Sequence, residues 1–258
     1  MLIDTHAHMG DPVFDPDRED ILKKAQAAGV HAVINVSENL ADAERNTRLA
    51  EIYPMLLPAV GLAPSFIDTE QAELVIAFIR GKGIRLWAIG EVGLDYWTAK
   101  EEEERDLQRG IFNAFIDLAM ELDLPLNVHS RAAGRHVIDV LLKQGARKVQ
   151  LHAFDGKAST ALPAAEAGFF FSIPPSVVRS LQKQKLVRKL PLSSLLIETD
   201  SPVLGPSREQ RNEPANALVS IAAIAELKNI RKEEVLDAVA QNTCKLYGDI
   251  DKFLDKQF

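Results

Sequence analysis

Residues 2–8, LIDTHAH, set a short apolar run directly before two histidines that are one residue apart. If Leu2 and Ile3 open a buried strand, His6 and His8 stand at its far end. The i, i+2 spacing turns both to one side, with Asp4 on the same face below them. The same kind of run recurs as AVINVS (32–37), MLLPAVG (55–61), LWAIGEVG (86–93), LPLNVHS (124–130), VQLHAF (149–154), GFFFSI (168–173) and LLIETD (195–200). Each is rich in Val, Ile, Leu or Phe, as strands buried on both faces are. Helical patterns lie between them, such as REDILKKAQAAG ending on Gly29 and LQRGIFNAFIDLAMELD with apolar residues recurring at three and four. Eight strand-then-helix units in 258 residues fit an α/β chain folded as a (β/α)8 TIM barrel, which typically takes about 250 residues. A doubly wound open sheet is the rival. The polar residues decide between them: Glu91, His129, His152 and Asp200 end the fourth, fifth, sixth and eighth runs. A barrel gathers all strand ends round one mouth, whereas an open sheet leaves some at its edges. The chain is therefore read as one barrel domain over residues 1–258.

Composition narrows the function classes. The chain is 47% hydrophobic and 26% charged with a formal net charge of -7, which argues against broad, charge-driven adhesion to nucleic acid but permits a local phosphate site. No apolar run approaches the roughly 20 residues that span a bilayer, and the N-terminus lacks a basic segment followed by an apolar one. A single cysteine, Cys244, suits a reducing compartment and is expected inside a helix. The expectation is a cytoplasmic protein without a membrane contact or an obligate protein partner. The acidic stretch KEEEER (100–105) reads as the solvated first turn of a helix, where carboxylates favour the helix dipole.

An HxH pair alone is more often a packed or capping pair than a metal site. The full set changes the balance. His6, His8, Glu91, His129, His152 and Asp200 place ligand-type side chains in apolar runs, where an unpartnered carboxylate is costly. Six ligands exceed the need of one tetrahedral ion and divide into two sites, with Glu91 as the natural bridge. Two divalent ions held roughly 3.5–4 Å apart would each keep a position open to water. Two dications against two carboxylates leave a mouth of about +2, enough to attract an anionic substrate to an acidic protein.

The blocks DTHAH, GEVGLDY, LPLNVHSR, LHAFDG, ETDSP and RNEP, in this order from Ile3 to about Tyr247, resemble the TatD family of metal-dependent deoxyribonucleases in the amidohydrolase superfamily. GLAP, with Ala63, stands where many members have GLHP, and HAFDG where many have HCFSG. With FFSIPPS and LGPSREQRNEP, this is closest to the third TatD-domain subgroup. The resemblance implies a TIM-barrel hydrolase with His6, His8, Glu91, His129, His152 and Asp200 as metal ligands. It also implies hydrolysis of phosphodiester bonds in DNA, usually magnesium-dependent and exonucleolytic.

The reading that results is a hydrolase in which a two-metal-activated water attacks phosphorus, with Asp200 as ligand and proton acceptor and Glu91 as the bridging carboxylate. Magnesium, manganese and zinc are the candidate ions, and the substrate is DNA, with RNA as the variant. Four imidazoles favour zinc, manganese or iron over magnesium. Arg131 and Arg211 are placed at the rim as phosphate contacts, against salt bridges such as Arg211 to Glu213. Asp4 either orients a ligating histidine or supports the strand alone. Tyr96 and Trp97 could stack a base. The basic stretch 179–189 is read as a solvated helix face from which only Arg179 approaches substrate. Two alternatives stand beside the nuclease: an ester or amide hydrolase such as an aminoacyl-tRNA deacylase on the same scaffold, and a non-catalytic metal-binding protein.

Overall fold

The structure is a computed structural model that describes residues 1–81, 85–248 and 250. Eight strands form one parallel sheet in the order β1 to β8: β1 (Leu2–Ala7), β2 (Val30–Val36), β3 (Leu56–Val60), β4 (Ala88–Gly93), β5 (Leu126–His129), β6 (Val149–Leu151), β7 (Phe170–Ile173) and β8 (Leu195–Ile197). Every strand falls within or against one of the expected apolar runs. The intervening helices are α1 (Arg18–Ala27), α2 (Leu40–Ile52), α3 (Thr69–Gly81), α4 (Glu102–Leu122), α5 (Gly134–Gln144), α6 (Ala158–Glu166) and α7 (Leu181–Lys189), followed by α8 (Ala217–Lys228) and α9 (Lys232–Tyr247). The sheet curls until β8 meets β1. There Asp200 donates its backbone N–H to the carbonyl of His6 at 2.8 Å, and the Thr5 hydroxyl donates to the carbonyl of Ile197 at 2.9 Å. The (β/α)8 architecture expected from the sequence is the one the chain adopts.

The helices cover the strands as their patterns require. In α4 the exposed acidic start is tied by Glu104, whose carboxylate accepts from the N–H groups of Lys100 and Glu101, and Ile111, Phe112, Phe115 and Ile116 then face the barrel. Left-handed residues stop three helices, Asp123 (φ 53°) after α4, Gly145 (φ 69°) after α5 and Asn229 (φ 53°) after α8. The barrel interior is apolar at its lower end, where Ile3, Ile34, Leu57, Ala88 and Leu196 pack against Leu246 and Tyr247 of α9. Trp87 is buried there. Towards the C-terminal ends of the strands the interior becomes polar. Gly90 lets β4 approach β5 closely, because a Cβ at that position would stand 2.6 Å from the Cβ of Asn127. Glu91 is thereby carried between the first and fifth strands. Among the described residues no helix is long and apolar enough to cross a membrane.

Candidate metal centre

The six residues singled out from the sequence converge at the C-terminal mouth. His6 and His8 sit at and just past the end of β1, Glu91 in β4, His129 at the end of β5, and His152 and Asp200 one and three residues beyond β6 and β8. Their donor atoms fall into two groups. In one, His6 Nε2, His8 Nε2 and Asp200 Oδ1 are 3.3 to 3.5 Å from one another, and Glu91 Oε2 lies 3.3 Å from His8 Nε2 and 3.8 Å from His6 Nε2. In the other, Glu91 Oε1 lies 2.5 Å from His129 Nδ1 and 3.1 Å from His152 Nε2, and those two nitrogens are 3.1 Å apart. Ligands of a tetrahedral ion with bonds of about 2.0–2.1 Å stand about 3.3–3.4 Å apart, so the first group already has the spacing of a coordination shell. One carboxylate, Glu91, gives an oxygen to each group.

The chemistry of the donors fits divalent cations. A proton shared between two ring nitrogens satisfies one pair, but here four imidazoles and two carboxylates point their donor atoms into one space. Divalent metal binding follows from that set, in which His6, Glu91 and His152 form one candidate triad and His6, His8 and Asp200 another. His8, Glu38 and Glu91 form a third, with Glu38 standing just past the end of β2.

Electrostatics couple these groups tightly. Burial pushes Glu91 upward, but the imidazoles of His152 and His129 hold it well below the usual carboxylate range. Asp200 is also buried, and hydrogen bonds from His6 and His8 hold it low. Against burial, Asp200 and Glu91 raise His8 well above the ordinary imidazole value, and Glu91 and Asp95 raise His129 to about 10. His152 goes the other way: burial and the neighbouring His6 lower it to about 4.

Two residues that the sequence reading left without a role set the orientation of imidazoles, and a third lies beneath His152. Asn127 donates its amide to the carbonyl of Thr5 at 2.9 Å and to the hydroxyl of Tyr247 at 3.3 Å, which turns its oxygen to His6 Nδ1 at 2.8 Å. His6 therefore carries a proton on Nδ1 and aims Nε2 into the centre. Asp95, in the GLDY stretch, accepts from the backbone N–H groups of Trp97 and Thr98 and holds His129 Nε2 at 3.1 Å. Glu198 is buried beneath His152, 3.9 Å from its Nδ1, and accepts from the Ser172 hydroxyl at 2.6 Å and the Ala153 N–H at 2.7 Å. Burial raises Glu198 to about 7.

Other expectations require correction. Asp4 touches no imidazole ring: the pairing of β1 with β2 shifts register between Asp4 and Ala7, and Asp4 instead accepts from the N–H of Thr199 at 2.8 Å and of His6 at 3.3 Å. It braces the seam between β1 and β8. Arg211 does not pair with Glu213, which is bound by Lys24; its guanidinium fork closes on Asp17, with Nη1 to Oδ1 at 3.0 Å and Nη2 to Oδ2 at 2.5 Å. That fork is engaged and is not among the groups lining the central cavity. Arg131 does line it, with its guanidinium 4.9 Å from the ring centre of Trp97. Trp97 is 60% exposed, whereas Tyr96 is buried and its hydroxyl accepts from Arg109 at 3.0 Å. Lys183 overturns the reading of 179–189 as a wholly solvated face, because its side chain is buried and reaches the same cavity. Cys244 lies in α9, half-buried.

The cavity above the donor cluster has a volume of about 590 Å³ and is floored by His8, Glu91, His129, His152 and Asp200. Ala63, where a histidine is common in the resembled family, forms part of its wall.

Comparison with known proteins agrees with this geometry. A sequence model of the family described as TatD related DNase matches residues 3–248. Deoxyribonuclease TATDN3 of Homo sapiens is 44% identical, with 99% of this chain and 97% of the human protein covered. The metal-dependent hydrolase YabD of Bacillus subtilis is 32% identical over 96% of this chain and 99% of its own. Among solved structures, YjjV of Escherichia coli, a TatD homologue, superposes with a TM-score of 0.89 at 28% identity, covering 96% of this chain and 98% of that one.

Proposed function

The chain belongs to the TatD-related DNase family, a family of metal-dependent hydrolases, and on that premise we propose that it hydrolyses phosphodiester bonds of DNA at the mouth of its barrel. The observation that carries the reading is Glu91, whose two oxygens each face a separate set of nitrogen and oxygen donors. His6, His8, Asp200 and Glu91 would hold one divalent ion, and His129, His152 and Glu91 would hold a second. Bound there, the ions supply Lewis-acid polarisation of a phosphoryl oxygen and a lowered pKa for water. Manganese, zinc or iron suits four imidazoles better than magnesium does.

The chain's own groups do the rest. Asn127 and Asp95 hold His6 and His129 in fixed orientations, so the donor lone pairs stay aimed at the centre without reorganisation. Asp200, kept anionic by its imidazole neighbours, takes up the proton that the attacking water releases. Arg131, stacked beside the exposed Trp97, supplies a guanidinium for a phosphate next to the scissile one, and the indole face accepts a base. This reading places the protein in the cytoplasm, supported by its single cysteine.

The test is hydrolysis of an end-labelled single-stranded oligonucleotide by chelator-stripped protein to which magnesium, manganese or zinc is returned, with Asp200→Asn as control. Metal-dependent shortening that the control lacks is the expected result, and the ladder gives the polarity. A protein that binds two ions yet cleaves neither DNA nor RNA contradicts the assignment.

A further inference from the structure

Lys183 is the one cation buried beside the donor cluster among the described residues that line the cavity. It lies in α7 three residues before Leu186 and seven before Leu190, both buried, so it belongs to the inward face of that helix. An ammonium has three donors, and Lys183 Nζ spends one, on the carbonyl of Ala153 at 2.9 Å. No carboxylate among the described residues comes within 4.0 Å of it. Its neighbour Gln182 shows what holding this loop needs: a neutral amide that donates to the carbonyls of Phe154 at 3.2 Å and Gly156 at 2.6 Å. A positive charge is unnecessary for such a clamp, and burying one is costly: burial lowers Lys183 despite the more distant attraction of Glu198, Asp155 and Asp200. The charge is explained if an anion completes its shell from the cavity side.

Resting on the phosphodiesterase reading above, we propose that Lys183 is a catalytic residue that donates a hydrogen bond to a non-bridging oxygen of the scissile phosphate. Asp200 and His152 line the same cavity, so a phosphate seated at the donor cluster lies within the field of this ammonium. A fixed cation at that place counters the charge that grows on the phosphoryl oxygens, and it does so without the solvent reorganisation that a mobile surface lysine would need.

Lys183→Gln keeps a donor for Ala153 and removes the charge, and Lys183→Met removes both, so the pair separates clamp from anion contact. Three quantities are read on the full, metal-loaded chain: kcat and KM on a single-stranded oligonucleotide, the Kd for inorganic phosphate by calorimetry, and metal content with the thermal midpoint. The expected result in both variants is a kcat lower by about 10²-fold and a phosphate Kd weaker by at least about tenfold. Metal content should be unchanged, with a midpoint equal to or above that of the wild type. Wild-type kcat and phosphate affinity in Lys183→Gln would show a clamp only and overturn the proposal. Phosphate binding that needs Lys183 in a wild type that cleaves no DNA would support the contact while refuting the nuclease reading. A wild type that neither binds phosphate nor cleaves DNA would overturn both.

Discussion

The two halves of the donor cluster are braced by different chemistry. On the β1 side, His6 is wholly buried and leans on a neutral amide, Asn127, which is itself held by Thr5 and by Tyr247 from α9. On the β5 side, His129 is 20% exposed and stands between two carboxylates, Asp95 on Nε2 and Glu91 on Nδ1. A neutral acceptor fixes the tautomer of His6, whereas two flanking carboxylates invite a second proton onto His129. His8, between Asp200 and Glu91, is raised in the same way, so each half holds a proton that a cation must expel. The halves differ in the brace, amide against carboxylate, with Glu91 giving an oxygen to both.

The most damaging change is at that shared group. Glu91→Gln removes the charge that both halves use, and the expectation is a loss of at least about 10³-fold in DNA hydrolysis together with a fall in bound metal from two ions to one or none, measured by elemental analysis. An active variant that keeps two ions would break the comparison at its root. Next come the two braces. Asp95→Asn should weaken metal binding by about 10- to 100-fold at the β5 half alone, and Asn127→Ala should do the same at the β1 half, as competition titrations would read. Asn127→Ala carries a further cost of about 1–3 kcal/mol in denaturant unfolding, because His6 Nδ1 loses its partner, and the Thr5 carbonyl and Tyr247 hydroxyl are left with Gln150 alone.

The pH response sharpens the same contrast. His129 is raised to about 10, so in the metal-free protein it is protonated at neutral pH, and binding an ion there releases one proton. Affinity at the β5 half should rise about tenfold per pH unit as pH increases and flatten near pH 10, while falling acidity changes nothing of that kind through His152, which is already neutral at pH 7. His8 is raised as well, so a proton also leaves the β1 half, and a β5-half affinity that does not change between about pH 6 and 9 would contradict this role of His129. The smallest effects are expected at the rim. Arg131→Ala should raise KM several-fold with little change in kcat, whereas Arg211→Ala, which breaks an exposed pair with Asp17, should leave KM alone and cost at most about 1 kcal/mol of stability.

The barrel was readable because each of its eight strands is an apolar run, and most of those at the centre end on a ligand-type residue that apolar surroundings make conspicuous. Some of the bracing was readable in principle. Asn127 precedes His129, and Glu198 precedes Asp200, by two residues, so a strand that aims one member inward tends to aim the other as well. Asp95 stood in plain view in GLDY, but its role depends on a turn in which its carboxylate caps the Trp97 and Thr98 N–H groups. Lys183 carried a signal too, since it shares a helical face with Leu186 and Leu190, but five positive charges in one stretch drew attention to solvent instead. Arg211 carried none. Its partner is Asp17, 194 residues away, and only the closure of the barrel brings them together.

The central claim is that Glu91 joins two metal positions. The most direct measurement is anomalous diffraction at the manganese or zinc edge from crystals of the loaded protein. The account predicts two peaks about 3.5–4 Å apart, one beside each Glu91 oxygen, with Asp200 at the first and His129 at the second. A single peak, or two peaks of which one does not touch Glu91, would contradict it.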